Sequence, residues 1–196
     1  MVRKQTLKLT FAAMFLAISV LIPSLFHMFS VSGNIFLPMH LPVLLCGFWL
    51  GWQYGLAVGL AAPIINSLVS GMPPMAKVPF MTIELAVYGL AAGLFYITFK
   101  LNTKRKNGFC YGIFPALLLS LIAGRAVYAL ALTVGTYLLH INCGTAVAVI
   151  DAAITGIPGI LIQLVMVPML VSLLEQMPIT RELRRLSVHT ESGAQN

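Results

Sequence analysis

Residues 76–106 read AKVPFMTIELAVYGLAAGLFYITFKLNTKRK. A long apolar run, interrupted by one acid at Glu84, ends in a cluster of four bases, Lys100, Lys104, Arg105 and Lys106. About 20 mostly apolar residues are what an α-helix needs to cross the hydrocarbon of a bilayer. Basic clusters beside such a run mark the cytoplasmic side. This stretch is therefore a membrane span followed by a cytoplasmic loop, and the rest of the chain repeats the pattern.

Composition agrees. The 196 residues are 59% hydrophobic and 9% charged, against roughly 25% charged in soluble domains. Mean hydropathy is +0.95. Spans are predicted at about 8–30, 38–51, 54–71, 76–99, 111–139 and 146–175, the second being short. The expected fold is an all-α integral membrane protein of six transmembrane helices. It comprises a six-helix domain at 1–176 and a polar cytoplasmic tail at 177–196. Arg3, Lys4 and Lys8 precede an apolar run without a small-residue cleavage site, which reads as a retained first helix, not a signal peptide.

Ten of the twelve Lys and Arg lie before span one, after span four and after span six. An even-numbered bundle puts these three places on one side, so the N- and C-termini are expected in the cytoplasm. The net charge of +7 is then a topology signal and no indication of nucleic acid. Cys46, Cys110 and Cys143 are scattered, with neither disulfide nor zinc spacing. No phosphate-binding Gly-rich loop, His-Glu-x-x-His helix or Gly-x-Ser-x-Gly elbow occurs. No cofactor is implied, and ATP hydrolysis by this chain alone is not expected.

Four ionisable residues fall within the apolar spans: Lys77, Glu84, Arg125 and Asp151. Each would cost about 2.5–3.5 kcal/mol at the bilayer centre unless paired or hydrated. At the helical rise, Glu84 lies about 10 Å and Asp151 about 8 Å from the outer side, Arg125 lies mid-span, and Lys77 sits at the outer mouth. All belong to the middle or outer half, the pattern of a pocket that opens outward.

Tyr88 and Tyr128 share helix faces with Glu84 and Arg125. Asn66, Ser67, His40 and Thr155 add polar groups at similar depths, a set suited to one small polar ligand. Alternatives stand beside each reading. Arg125 and Glu84 form a structural ion pair or a ligand grip; His40 is a hydrogen-bonded helix-start residue or a ligand contact; Asp151 favours a helix dipole or the site. Gln163 reads as packing glue, and Met72 and Met75 as a lid or as filler. The Gly-x-x-x-Gly segments at 55–59 and 89–93 echo each other, as close-packing sites or by chance.

In order along the chain come Leu37-Pro38-Met39-His40-Leu41-Pro42-Val43, Gly47 with Gly51-x-x-Tyr54-Gly55, and Ser70-Gly71-Met72-Pro73-Pro74. Glu84-Leu85-Ala86-x-Tyr88-Gly89, Ala123-Gly124-Arg125 and Ile157-Pro158-Gly159-Ile160 follow. Over about residues 8–175 this series resembles the substrate-binding S components of energy-coupling factor (ECF) vitamin transporters. The resemblance implies high-affinity capture of a small water-soluble vitamin outside the bacterial plasma membrane. It also implies docking on a transmembrane T component driven by two cytoplasmic ATPase subunits, in part through an Ala-x-x-x-Ala motif matched here by Ala13 and Ala17. That motif also suits an ordinary intramolecular helix crossing.

The expected substrate contacts are Arg125 and Glu84, then Asn66, Tyr88, Tyr128 and Asp151, with His40 and residues 71–75 closing the site. The planar arginine fork suits a carboxylate, favouring an anion such as niacin or pantothenate. Two other classes fit less well: a self-contained secondary transporter or channel with proton-relaying acids, and an intramembrane enzyme using Asp151, Glu84 or His40.

Overall fold

The structure, a computed structural model, describes residues 2–28, 38–98, 105–106, 109–110, 112–137, 154, 156–178 and 180. Six helices follow in the expected order: α1 (Val2–Met28), α2 (His40–Leu50), α3 (Trp52–Ser70), α4 (Val78–Gly93), α5 (Ile113–Tyr137) and α6 (Ile157–Gln176). Helix α4 runs on into a π-helical turn, Leu94–Thr98. A two-residue antiparallel ribbon pairs β1 (Arg105–Lys106) with β2 (Phe109–Cys110). Among the described residues, five helices are long and apolar enough to cross a membrane. The predicted second span is a helix of 11 residues, rising only about 16 Å.

Two glycines set the turns around α3. Gly51, at φ 109°, occupies backbone space that side-chain-bearing residues avoid, so α2 gives way to α3 with no intervening loop. Gly71, at φ 70°, ends α3 by donating its N–H to the Ser67 carbonyl at 3.0 Å.

Lipid supplies no hydrophobic drive between helices, so backbones associate by approaching closely where side chains are small. Helices α3 and α4 run antiparallel and do this along their glycines. A Cβ on Gly89 would collide with the carbonyl of Gly55, one on Gly59 with the carbonyl of Leu85, and one on Gly93 with the backbone of Trp52. Gly47 of α2 closes on the same Gly89 carbonyl. The two echoing Gly-x-x-x-Gly segments are thus partners in one seam, joined by a third helix.

Around the seam, α2 is almost wholly enclosed, with Val43, Leu44, Cys46, Phe48 and Leu50 buried. Phe11 and Phe15 of α1 meet Trp49 edge-on, with ring centroids 4.8 and 6.0 Å away. Leu21, Leu68, Ile122 and Val165 face outward, as a lipid-facing surface requires.

One end of the bundle is tied by polar contacts. Lys8 Nζ donates to the Leu50 carbonyl at 3.0 Å and lies 5.5 Å from the Tyr54 ring centroid. Trp49 Nε1 donates to Thr180 Oγ1 at 3.0 Å, and Tyr96 OH to Glu175 Oε1 at 2.8 Å. The starts of α1, α3 and α5 and the ends of α2, α4 and α6 meet at this basic end.

The seam makes a direct prediction. Gly89→Ala pushes α3 from α4 and should lower stability by about 1–3 kcal/mol, the usual penalty for overpacking. Thermal unfolding in detergent reads this, and an unchanged midpoint would contradict the close approach.

Candidate functional site

Helix α4 carries Glu84 on its inward face, only 2% exposed. Its Oε1 receives two groups. Arg125 Nη1 of α5 approaches to 3.3 Å, and Tyr88 OH, one turn along α4, donates at 3.2 Å. The neighbouring glycine has a physical reason: a Cβ on Gly124 would fall 2.5 Å from Tyr88 Cε1. A side chain there would displace the ring that holds Glu84. The ring of His40, the first residue of α2, packs edge-on against Tyr88 with centroids 5.2 Å apart. Four residues the sequence pointed to are therefore contiguous, in the order Arg125, Glu84, Tyr88, His40.

Hydrogen bonding in this cluster is incomplete. Arg125 gives one nitrogen to Glu84, while its buried Nε and Nη2 have no hydrogen-bond partner among the described residues. His40, 2% exposed, has none at either ring nitrogen among the described residues. Buried donors and acceptors in folded proteins are normally satisfied. Leaving one bare costs about 1–3 kcal/mol.

Asn66 and Ser67, both buried, serve the neighbouring turn. Ser70 Oγ lies 3.2 Å from Asn66 Oδ1, and Ser67 Oγ donates to the Pro73 carbonyl at 2.8 Å. They shape residues 71–75 instead of meeting Arg125. Tyr128 is half-buried, one turn beyond Arg125. Lys77 is exposed just before α4. Asp151 and Thr155 lie outside the described residues. Ala13 and Ala17 are both exposed on α1 while Ala12 is buried, so the small-residue pair is not used up by a crossing within the described chain.

One polar residue was undervalued in the sequence. Gln163 of α6 is 1% exposed, and neither its amide nitrogen nor its oxygen has a hydrogen-bond partner among the described residues. In the sequence Gln163 reads as packing glue; a neutral amide in an apolar span also needs a hydrogen-bond partner. Counted from Tyr96, Glu175 and Ile113 at the basic end, Glu84, Gln163 and Arg125 each lie about 18 Å in, and His40 lies about 15 Å from Leu50. By this count they lie at similar depth on four helices. Among the described residues, no cluster of His, Cys, Asp and Glu could hold a metal ion.

Fold and site together define a multi-pass membrane protein with a polar layer inside an apolar bundle. Residues 7–171 match the family described as ECF transporter, substrate-specific component, and the chain belongs to that family. It is the substrate-specific subunit of an ECF transporter, a transport component and not an enzyme. No curated protein and no solved structure matches it.

The ion pair generates a test by stability. Glu84→Leu leaves Arg125 without its partner and should cost about 3–5 kcal/mol. Adding Arg125→Met should restore much of the loss, because a paired replacement by apolar groups is often near neutral. Thermal unfolding of both variants in detergent checks this. A double variant no more stable than Glu84→Leu alone would contradict the pairing.

Proposed function

We propose that this chain captures a small water-soluble vitamin carrying a carboxylate, niacin or pantothenate being of the right kind, for import across a bacterial plasma membrane. The observation that carries the proposal is the half-used guanidinium of Arg125. Nη1 is taken by Glu84, whereas Nε and Nη2, the edge that presents two parallel donors, are buried without a protein partner among the described residues. A carboxylate fits that edge in a bidentate, charge-assisted way.

Glu84 and Tyr88 then hold the guanidinium in place. His40 and Tyr128 flank the bound molecule, Asp151 adds to it, and Asn66 shapes the 71–75 turn that closes the site. The basic end faces the cytoplasm by the positive-inside rule, so the polar layer is reached from outside. The exposed Ala13–Ala17 face of α1 receives the T component, on which two ATPase subunits act. The contiguous Arg125, Glu84, Tyr88 and His40 suit a receptor, and hydrolysis occurs in the partners.

Mass spectrometry of material co-purified in mild detergent should identify a carboxylate-bearing vitamin. Arg125→Ala should weaken its binding by about 1.5–3 kcal/mol, the range of charge-assisted hydrogen bonds. A calorimetric change within about 0.5 kcal/mol would remove Arg125 from the site, on the same scale. Replacing both alanines, Ala13→Trp with Ala17→Trp, should abolish co-purification with the T component yet leave vitamin binding intact. Retained co-purification would place the docking face elsewhere.

A further inference from the structure

Helix α6 turns Gly159, Gln163, Val167 and Val171 inward at four-residue intervals, and all are buried. Three are small or apolar and need nothing further. Gln163 presents both a donor and an acceptor, and both lack a hydrogen-bond partner among the described residues. Leu or Met would fill the same volume without the desolvation penalty, so packing alone does not account for an amide there.

Its surroundings indicate what the amide is for. Helix α6 packs against α2 and α5, the helices that carry His40 and Arg125. The ends of α2 and α6 are linked by the Trp49–Thr180 hydrogen bond, which fixes their relative height and brings Gln163 to within about 3 Å of the depth of His40 at the helical rise. His40 is a second neutral side chain that is buried with its hydrogen-bonding atoms unmatched. Arg125 lies in the same layer.

We propose that Gln163, with His40, forms a second, uncharged pole of the substrate site, and that the substrate is a small carboxylate whose other end carries an amide-like group. A primary amide is satisfied at both atoms by a partner with a donor beside an acceptor; a lone acceptor answers only half of it. Arg125 then fixes the charged end and Gln163 selects among carboxylates by what lies opposite. This inference rests on the reading of Arg125 as the carboxylate grip.

Radiolabelled pantothenate, which has a carboxylate and an amide, tests it on the full chain in lipid nanodiscs. Nicotinate (carboxylate, no amide) and pantothenol (amide, no carboxylate) compete for the site. The expected result is saturable pantothenate binding, with both competitors at least tenfold weaker. Gln163→Met should weaken pantothenate at least tenfold, leave nicotinate unchanged, and raise the melting temperature of the empty protein, because an unmatched buried amide is gone. Gln163→Leu serves as a second apolar replacement.

Unchanged pantothenate affinity with a lowered melting temperature in both variants would overturn the proposal, marking Gln163 as a hydrogen-bonded packing residue. Absence of saturable pantothenate binding by the parent overturns it as well. If Arg125→Ala loses binding while Gln163→Met keeps it, only the second pole fails. If Arg125→Ala keeps the parent affinity, the carboxylate reading fails and this inference with it.

Discussion

The backbone contact between α3 and α4 governs the rest of the molecule. Within a bilayer, apolar side chains gain little by leaving lipid for protein, so helices adhere through close van der Waals contact. The glycines at 55, 59, 89 and 93 bring two main chains against one another, and Gly47 adds α2 to the same line. Nothing bulkier than hydrogen fits there. Because the contact has a single register, Glu84 and Tyr88 emerge from α4 at fixed height and direction, and His40 is held over Tyr88.

On that frame stands an electrostatic arrangement that is stable yet unfinished. Glu84 is served by Arg125 and Tyr88, which keeps the acid from being an isolated charge in a low-dielectric interior. Arg125 is not served equally in return, since one edge of its guanidinium is left over. A purely structural pair would tend to close both partners. Here the acid orients the base, and Nε and Nη2 remain without a hydrogen-bond partner among the described residues. Gly124 belongs to this device although it has no chemistry, because its missing side chain seats the tyrosine ring.

Much of this was legible in the sequence, since burying charge in lipid is costly enough to leave only a few positions to consider. Glu84, Arg125 and Tyr88 were found from that cost and from helical spacing, and the structure joins them. Hydropathy gave six helices in order, but it could not see that α2 is a short enclosed helix, because burial by protein and burial by lipid produce the same apolar composition. The Gly-x-x-x-Gly echo was visible, but that the two copies face each other depends on the turns at Gly51 and Gly71. Depth put Asn66 among the site candidates; its local bond with Ser70 depends on a turn that depth does not reveal. Gln163 read as packing glue because no other polar residue stands near it in the sequence.

The polar ties at the basic end have a mechanical side. Side-chain hydrogen bonds at Glu175 and Thr180 tie α6 and its extension to other helices. Helix α6 is therefore fastened like a lever at one end, with its arm about 28 Å long at 1.5 Å per residue. Tilting it by about 5° about Glu175 would carry Gly156 sideways by about 2.5 Å, on that same helical length. Gln163, about 18 Å along the arm, would move about 1.6 Å, roughly two-thirds as far. A modest swing thus moves the far end by more than it moves Gln163, and both by an amount that a bound molecule would feel.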